Sequence, residues 1–134
     1  MTTFKEAQRL GSKHARWGQR APRAKYHNQK VEHDGLKFDS KKEAQRYKVL
    51  KLMESEGLIE QLKCQVAFVL AEGVKFINEP RKKPALRYFA DFVYTQNGVY
   101  VVEDVKSKTT RSLPEYRIKK HLMMSVHGIE ITEI

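Results

Sequence analysis

The chain has 134 residues, with 26 Lys and Arg against 16 Asp and Glu, a formal net charge of +10 and one cysteine. That length holds one domain with a modest core, and no apolar run approaches the roughly 18 to 20 residues that span a bilayer. Cys64 has no partner for a disulfide and no Cys or His neighbours at zinc-ligand spacing, so a structural disulfide or zinc site is excluded.

The N-terminus also lacks the apolar centre of a signal peptide. The expectation is a soluble, cytoplasmic protein drawn to polyanions, with Cys64 a buried structural thiol. The charge is concentrated at the start, where residues 1–30 carry eight basic side chains and one acid, Glu6, and so +7 of the +10. Residues 1–25 therefore read as a basic arm and residues 26–134 as the folded domain. Within the arm, Thr3-Phe4-Lys5-Glu6 has the form of a capping box opening a helix over 4–10, and Gly11, Gly18 and Pro22 oppose its extension. Arg16, Arg20, Arg23 and Lys25, interleaved with Trp17 and Tyr26, are candidate nucleic-acid contacts.

Asp34-Gly35 supplies the turn of a hairpin over Lys30 to Phe38. Ser40-Lys41-Lys42-Glu43 is a second capping box, and Ala44, Tyr47, Leu50 and Met53 recur at helical spacing until Gly57. Leu62 to Leu70 reads as a strand, Glu72 to Pro84 as a loop, and Arg87 to Thr95 and Val99 to Lys106 as two strands joined by Gln96-Asn97-Gly98. After a basic loop, Ser112-Leu113-Pro114-Glu115 reads as a third capping box, opening a helix to His127 with Tyr116, Met123 and Val126 as its core stripe. Gly128 ends it, and Ile129 to Ile131 form a short closing strand. The fold class is mixed α/β, a central mixed sheet flanked by helices.

Successive strand residues face opposite sides, so Asp104 and Lys106 share one face, and Glu103 falls on the other as a solvent-facing acid or a partner for a lysine. Asp91, set between Ala90 and Phe92, can stand beside Asp104 across the hairpin. Two adjacent carboxylates repel one another and resist burial, and a hard cation, Mg²⁺ or Mn²⁺, relieves both penalties. Asp91, Asp104 and the backbone carbonyl of Val105 are the candidate metal ligands. Lys106 is the candidate electrostatic catalyst, holding water or a phosphate oxygen. Gln65 reads as a strand-edge amide, with contact to a phosphate as the alternative, and none of the five histidines has metal-ligand spacing. Lys108, Arg111, Lys119 and Lys120 are further candidate contacts to a DNA backbone.

Asp91 followed by Glu103-Asp104-Val105-Lys106 resembles the motif of the PD-(D/E)XK nuclease superfamily. Tyr26 to Glu43, Ala90 to Tyr94, Val101 to Lys106 and Tyr116 to Lys120 resemble small phage and prophage proteins related to Holliday-junction resolvases. The resemblance covers roughly residues 25–134, and Ala90 stands where the superfamily's name has Pro. It implies a restriction-endonuclease-like core, Glu43 as an auxiliary active-site acid, and Mg²⁺- or Mn²⁺-dependent cleavage of branched DNA. It also implies a homodimer, since symmetric cutting of a four-way junction needs two active sites, and a bacterial host cell if the chain is phage-encoded. Two competing expectations remain: a non-catalytic basic nucleic-acid-binding protein, whose acids are structural, and a virion assembly protein.

Overall fold

The computed structural model describes residues 30–134. The basic arm, with Arg16, Arg20, Arg23, Lys25 and the helix expected over 4–10, lies outside the described residues. Asp34 and Gly35 both adopt positive φ, 51° and 74°, as a two-residue hairpin turn requires. They join β1 (Val31–His33) to β2 (Leu36–Phe38). Ser40 then sits in an extended conformation and its Oγ accepts the Glu43 N–H at 3.2 Å, so the expected cap opens α1 (Lys41–Ser55). Glu43, Ala44, Tyr47 and Leu50 form its buried stripe.

The main sheet has the order β3 (Glu60–Ala71), β4 (Leu86–Gln96), β5 (Val99–Asp104), β6 (Thr132–Glu133). The first three strands are antiparallel and β6 runs parallel to β5, giving a mixed α/β fold. The ladder continues past the end of β5. Ile134 donates its N–H to the Asp104 carbonyl and accepts from the Lys106 N–H, which fixes the main chain on both sides of Val105.

Helices cover both faces of this sheet. Phe38, Ala44, Tyr47, Leu50, Ile59, Phe92 and Tyr94 form one core cluster against α1, with Leu62, Cys64, Val101 and Val105 packed on it. Leu70, Tyr88, Ala90, Val93, Val102, Met123 and Ile131 form the other, with Val66 and Phe68. Strand alternation should keep residues two apart on one face. It breaks at one level: Leu62 and Cys64 join the first cluster but Val66 and Phe68 the second, while Ala90 joins the second and Phe92 the first. Gln65 lies at the break in the left-handed region, φ 53°. One residue outside the β region rotates the chain beyond it, here with no extra residue in the pairing. Cys64 pairs with Phe92 and Val66 with Ala90, which sets Gln65 opposite Asp91.

The C-terminal half departs from expectation in four places. The basic loop contains a short helix, α2 (Lys108–Arg111), capped by Ser107. Ser112 donates its Oγ–H to the Thr109 carbonyl at 2.7 Å, so it closes α2 and caps nothing ahead of it. Helix α3 (Pro114–His127) starts at Leu113 with no side-chain cap, using Pro114 in its first turn. Val126 is exposed, leaving Tyr116 and Met123 as the buried residues of α3. The closing strand forms at Thr132–Glu133, later than expected, and Ile131 packs into the second core cluster.

Candidate active site

Phe92 pairs with Glu103 across β4 and β5, so the next positions outward, Asp91 and Asp104, stand opposite one another. Asp104 is fully buried and Asp91 is 9 % exposed. Each is held by hydrogen bonds. Val105 donates its N–H to Asp91 Oδ2 at 2.8 Å and Gln65 donates Nε2–H to Asp91 Oδ1 at 3.2 Å. Tyr88 donates its hydroxyl to Asp104 Oδ2 at 2.8 Å; burial, with Asp104 beside it, keeps that phenol protonated and able to donate. Asp104 Oδ1 is buried without a hydrogen bond. The Lys106 ammonium is 3.3 Å away, close enough for ion pairing but off the hydrogen-bonding direction, and it also lies 5.7 Å from the centre of the Tyr116 ring.

Burial, and then the Asp104 carboxylate within hydrogen-bonding reach, push the Asp91 carboxyl up to about 8. In the folded protein without metal, Asp91 thus keeps a proton that the unfolded chain releases near 3.8. The folded state binds more protons across that window, so its stability falls as pH rises from about 4 to about 8 and levels off above. The melting temperature in EDTA should therefore fall between pH 5 and pH 8 in wild type and change less in Asp91→Asn, read by differential scanning fluorimetry; equal pH profiles would show that Asp91 does not carry this proton.

Glu43 reaches the pair through Gln65, whose Nε2 also donates to Glu43 Oε1 at 3.1 Å. Burial, and then Asp39, raise the Glu43 pKa. Among the described residues no three acidic, His or Cys side chains close on a single point, so the acids form a pair with Glu43 set off by the amide. An open cleft of about 480 Å³ runs over this ground, lined by Asp39, Ser40, Lys42, Glu43, Asp91, Val105, Lys106, Ser107, Thr110 and Leu113. The Val105 N–H is committed to Asp91, and Val105 itself lines the cleft.

Glu103 does not face solvent. It is fully buried on the α1 side, where the Arg46 guanidinium grips both its oxygens and Tyr94 donates to Oε1 at 3.0 Å. Alternation puts it on the face opposite Asp104 as expected, but that face is covered by a helix. Cys64 is half-buried against the first cluster, and burial pushes its thiol up. Three of the expected backbone-contacting cations are already paired. Lys120 donates to Glu133 Oε1 at 2.6 Å, Arg111 lies 3.2 Å from Glu133 Oε2, and Lys119 lies 3.4 Å from Glu115. Lys108 is exposed at the start of α2, and Lys42 and Lys106 are the cations lining the cleft.

The sequence reading does not reach Tyr88, and it gives Gln65 only as a strand-edge amide or a phosphate contact, not as a bridge between Glu43 and Asp91. Tyr88 lies three positions before Asp91, which strand alternation places on the opposite face; the break at Gln65 and Asp91 brings its hydroxyl to Asp104. No helix among the described residues is long and apolar enough to cross a membrane. No curated protein and no solved structure matches the chain. A family model described as a protein of unknown function, DUF1064, matches residues 23–131, and the chain belongs to that family.

Proposed function

We propose that this chain is a divalent-metal-dependent endonuclease that hydrolyses phosphodiester bonds, with branched or structured DNA as its substrate. The observation that carries the reading is the pair itself: Asp104, fully buried, stands beside Asp91, a second buried carboxyl group, and Asp104 Oδ1 has no hydrogen bond and only the partly exposed Lys106 ammonium 3.3 Å away. Buried polar atoms are ordinarily satisfied, and two buried acids sharing one lysine leave a negative charge that a divalent cation balances. Oxygen donors on rigid strands suit Mg²⁺ or Mn²⁺.

Asp91 and Asp104 would hold that cation, with the carbonyl of Val105 as a further oxygen donor. When bound, it supplies Lewis-acid stabilisation of the charge that gathers on a phosphate oxygen during hydrolysis. The chain's own groups prepare the rest. The Tyr88 hydroxyl and the Val105 N–H leave one oxygen of Asp104 free and orient Asp91. Lys106, steadied by Tyr116 and Asp104, presents an ammonium to a non-bridging phosphate oxygen or to the attacking water. Glu43 is the auxiliary acid, and the net charge of +10 draws the polyanion in. The resolvase resemblance, together with the need for two cuts at a four-way junction, supports a homodimer.

The test uses labelled four-way junction, flap, linear duplex and single-stranded DNA, each incubated with the full chain in Mg²⁺, Mn²⁺ or EDTA. The expected result is cleavage of the branched substrates with metal and none with EDTA. No cleavage of any substrate with either metal, while Asp104→Asn binds the same DNA as tightly as wild type, would leave the non-catalytic basic binder as the function.

A further inference from the structure

The geometry points to a site built for one divalent cation per chain, with Gln65 as the positioning residue whose amide takes the place of a second. The inference rests on the metal-dependent reading and goes beyond it by fixing how many ions the acids accept. Two-metal phosphodiesterases place their ions roughly 3.5 to 4 Å apart, with carboxylates shared between them. In this chain, the ground for a second ion would lie between Asp91, already beside Asp104, and Glu43, the nearest further acid.

That ground is filled. Gln65 Nε2 is 3.1 Å from Glu43 Oε1 and 3.2 Å from Asp91 Oδ1. A primary amide nitrogen carries two N–H donors and no acceptor, so these two bonds use it completely. The nitrogen end, not the oxygen, faces the acids because each of the two oxygens it meets serves as an acceptor. The amide thus bridges Glu43 and Asp91 as an ion would, and holds the two carboxyl groups at a fixed separation. Asp104 Oδ1, with no hydrogen bond and Lys106 3.3 Å away, takes no part in these bonds and remains the point where one ion completes the set.

The backbone is shaped to deliver that amide. A non-glycine residue at φ 53° is disfavoured, and such conformations persist where the surroundings hold them in place for a purpose. Gln65 stands at the level where β3 and β4 change the faces they present. An ordinary extended residue there would continue the alternation and aim its side chain at one of the two cores. The left-handed residue instead sends its side chain along the line of acids.

The experiment counts Mn²⁺ per chain on the full-length protein without DNA, by isothermal titration with electron paramagnetic resonance of the free ion. One Mn²⁺ is expected for wild type. Gln65→Glu, which keeps the shape but replaces the two N–H donors with an anion, is expected to bind two, with spin coupling between them. Gln65→Ala is expected to weaken the single site about fivefold, the loss of roughly one net hydrogen bond's worth of positioning. Circular dichroism melts of each variant confirm folding. Two Mn²⁺ on wild type would overturn the single-ion inference while leaving the metal-dependent reading standing. One Mn²⁺ on folded Gln65→Glu would also overturn it, because the amide would then not be what excludes the second ion. No Mn²⁺ on wild type would overturn the metal-dependent reading itself and the inference with it.

Discussion

On the proposed function, Asp104→Asn should lower the cleavage rate by about 10³-fold, as expected on removing a principal source of transition-state charge stabilisation, and should at the same time raise the melting temperature of the metal-free protein above pH 8. The two effects have one cause. Above about pH 8 and without a cation, Asp91 and Asp104 are buried like charges in contact; below it, burial together with Asp104 keeps a proton on Asp91. An asparagine at 104 keeps an oxygen to accept the Tyr88 hydroxyl and offers an N–H to Asp91, so a repulsion becomes a hydrogen bond. Lys106 loses a partner, but it reaches solvent and can be rehydrated at little cost. The gain should be greatest above pH 8, where wild-type Asp91 has lost its proton, and the Mg²⁺-induced thermal shift should disappear. If Asp104 serves only as a structural ion-pair partner for Lys106, the substitution lowers the melting temperature instead. Melting curves of both proteins at pH 6 and pH 9 decide between the two.

Arg46→Met should destabilise the fold by about 3 kcal/mol, the usual penalty for leaving one member of a buried ion pair without its partner, equivalent to a fall in melting temperature on the order of 10 °C. Glu103 is completely inaccessible to solvent, and Arg46 holds both its oxygens in a two-pronged grip that no lysine reproduces. Without the guanidinium, only the Tyr94 hydroxyl is left on the carboxylate. Combining Arg46→Met with Glu103→Leu should recover most of the loss, because replacing a whole buried pair by apolar groups is commonly neutral or better. Urea denaturation of the three variants measures this. A single-variant cost under about 1 kcal/mol, the range of exposed pairs, would mean that the pair is solvated.

Much of this arrangement was legible because short-range rules decide it. Asp34-Gly35 and Asn97-Gly98 both form positive-φ turns, and the tight second turn pairs Gln96 with Val99, which carries Asp91 to Asp104 by counting alone. Ser40 caps α1 as its spacing with Glu43 predicts. What was not legible depends on longer range. The 14-residue connection from Ala71 to Leu86 conceals the register of β3, so nothing local sets Gln65 opposite Asp91. The change of face at that level is invisible to a period-two reading, which is why Tyr88 was missed. Glu103 was misjudged for another reason: an acid on the far face of a strand reads as solvated until it is known that a helix covers that face too. The cap expected at Ser112 failed because Ser107, Thr109 and Thr110 compete for the same short-range bonds.

The change of face carries polar side chains into the middle of a sheet that is covered on both sides. Both core clusters continue past that level: Ala90 and Val93 share one, and Phe92 and Val105 the other. Gln65, Asp91 and Asp104 are thus sandwiched between two packed layers, and the side chains that stabilise the fold are the ones that set the spacing of the acids. Truncating Leu50 or Met123, both fully buried, should therefore loosen the acids as well as the fold.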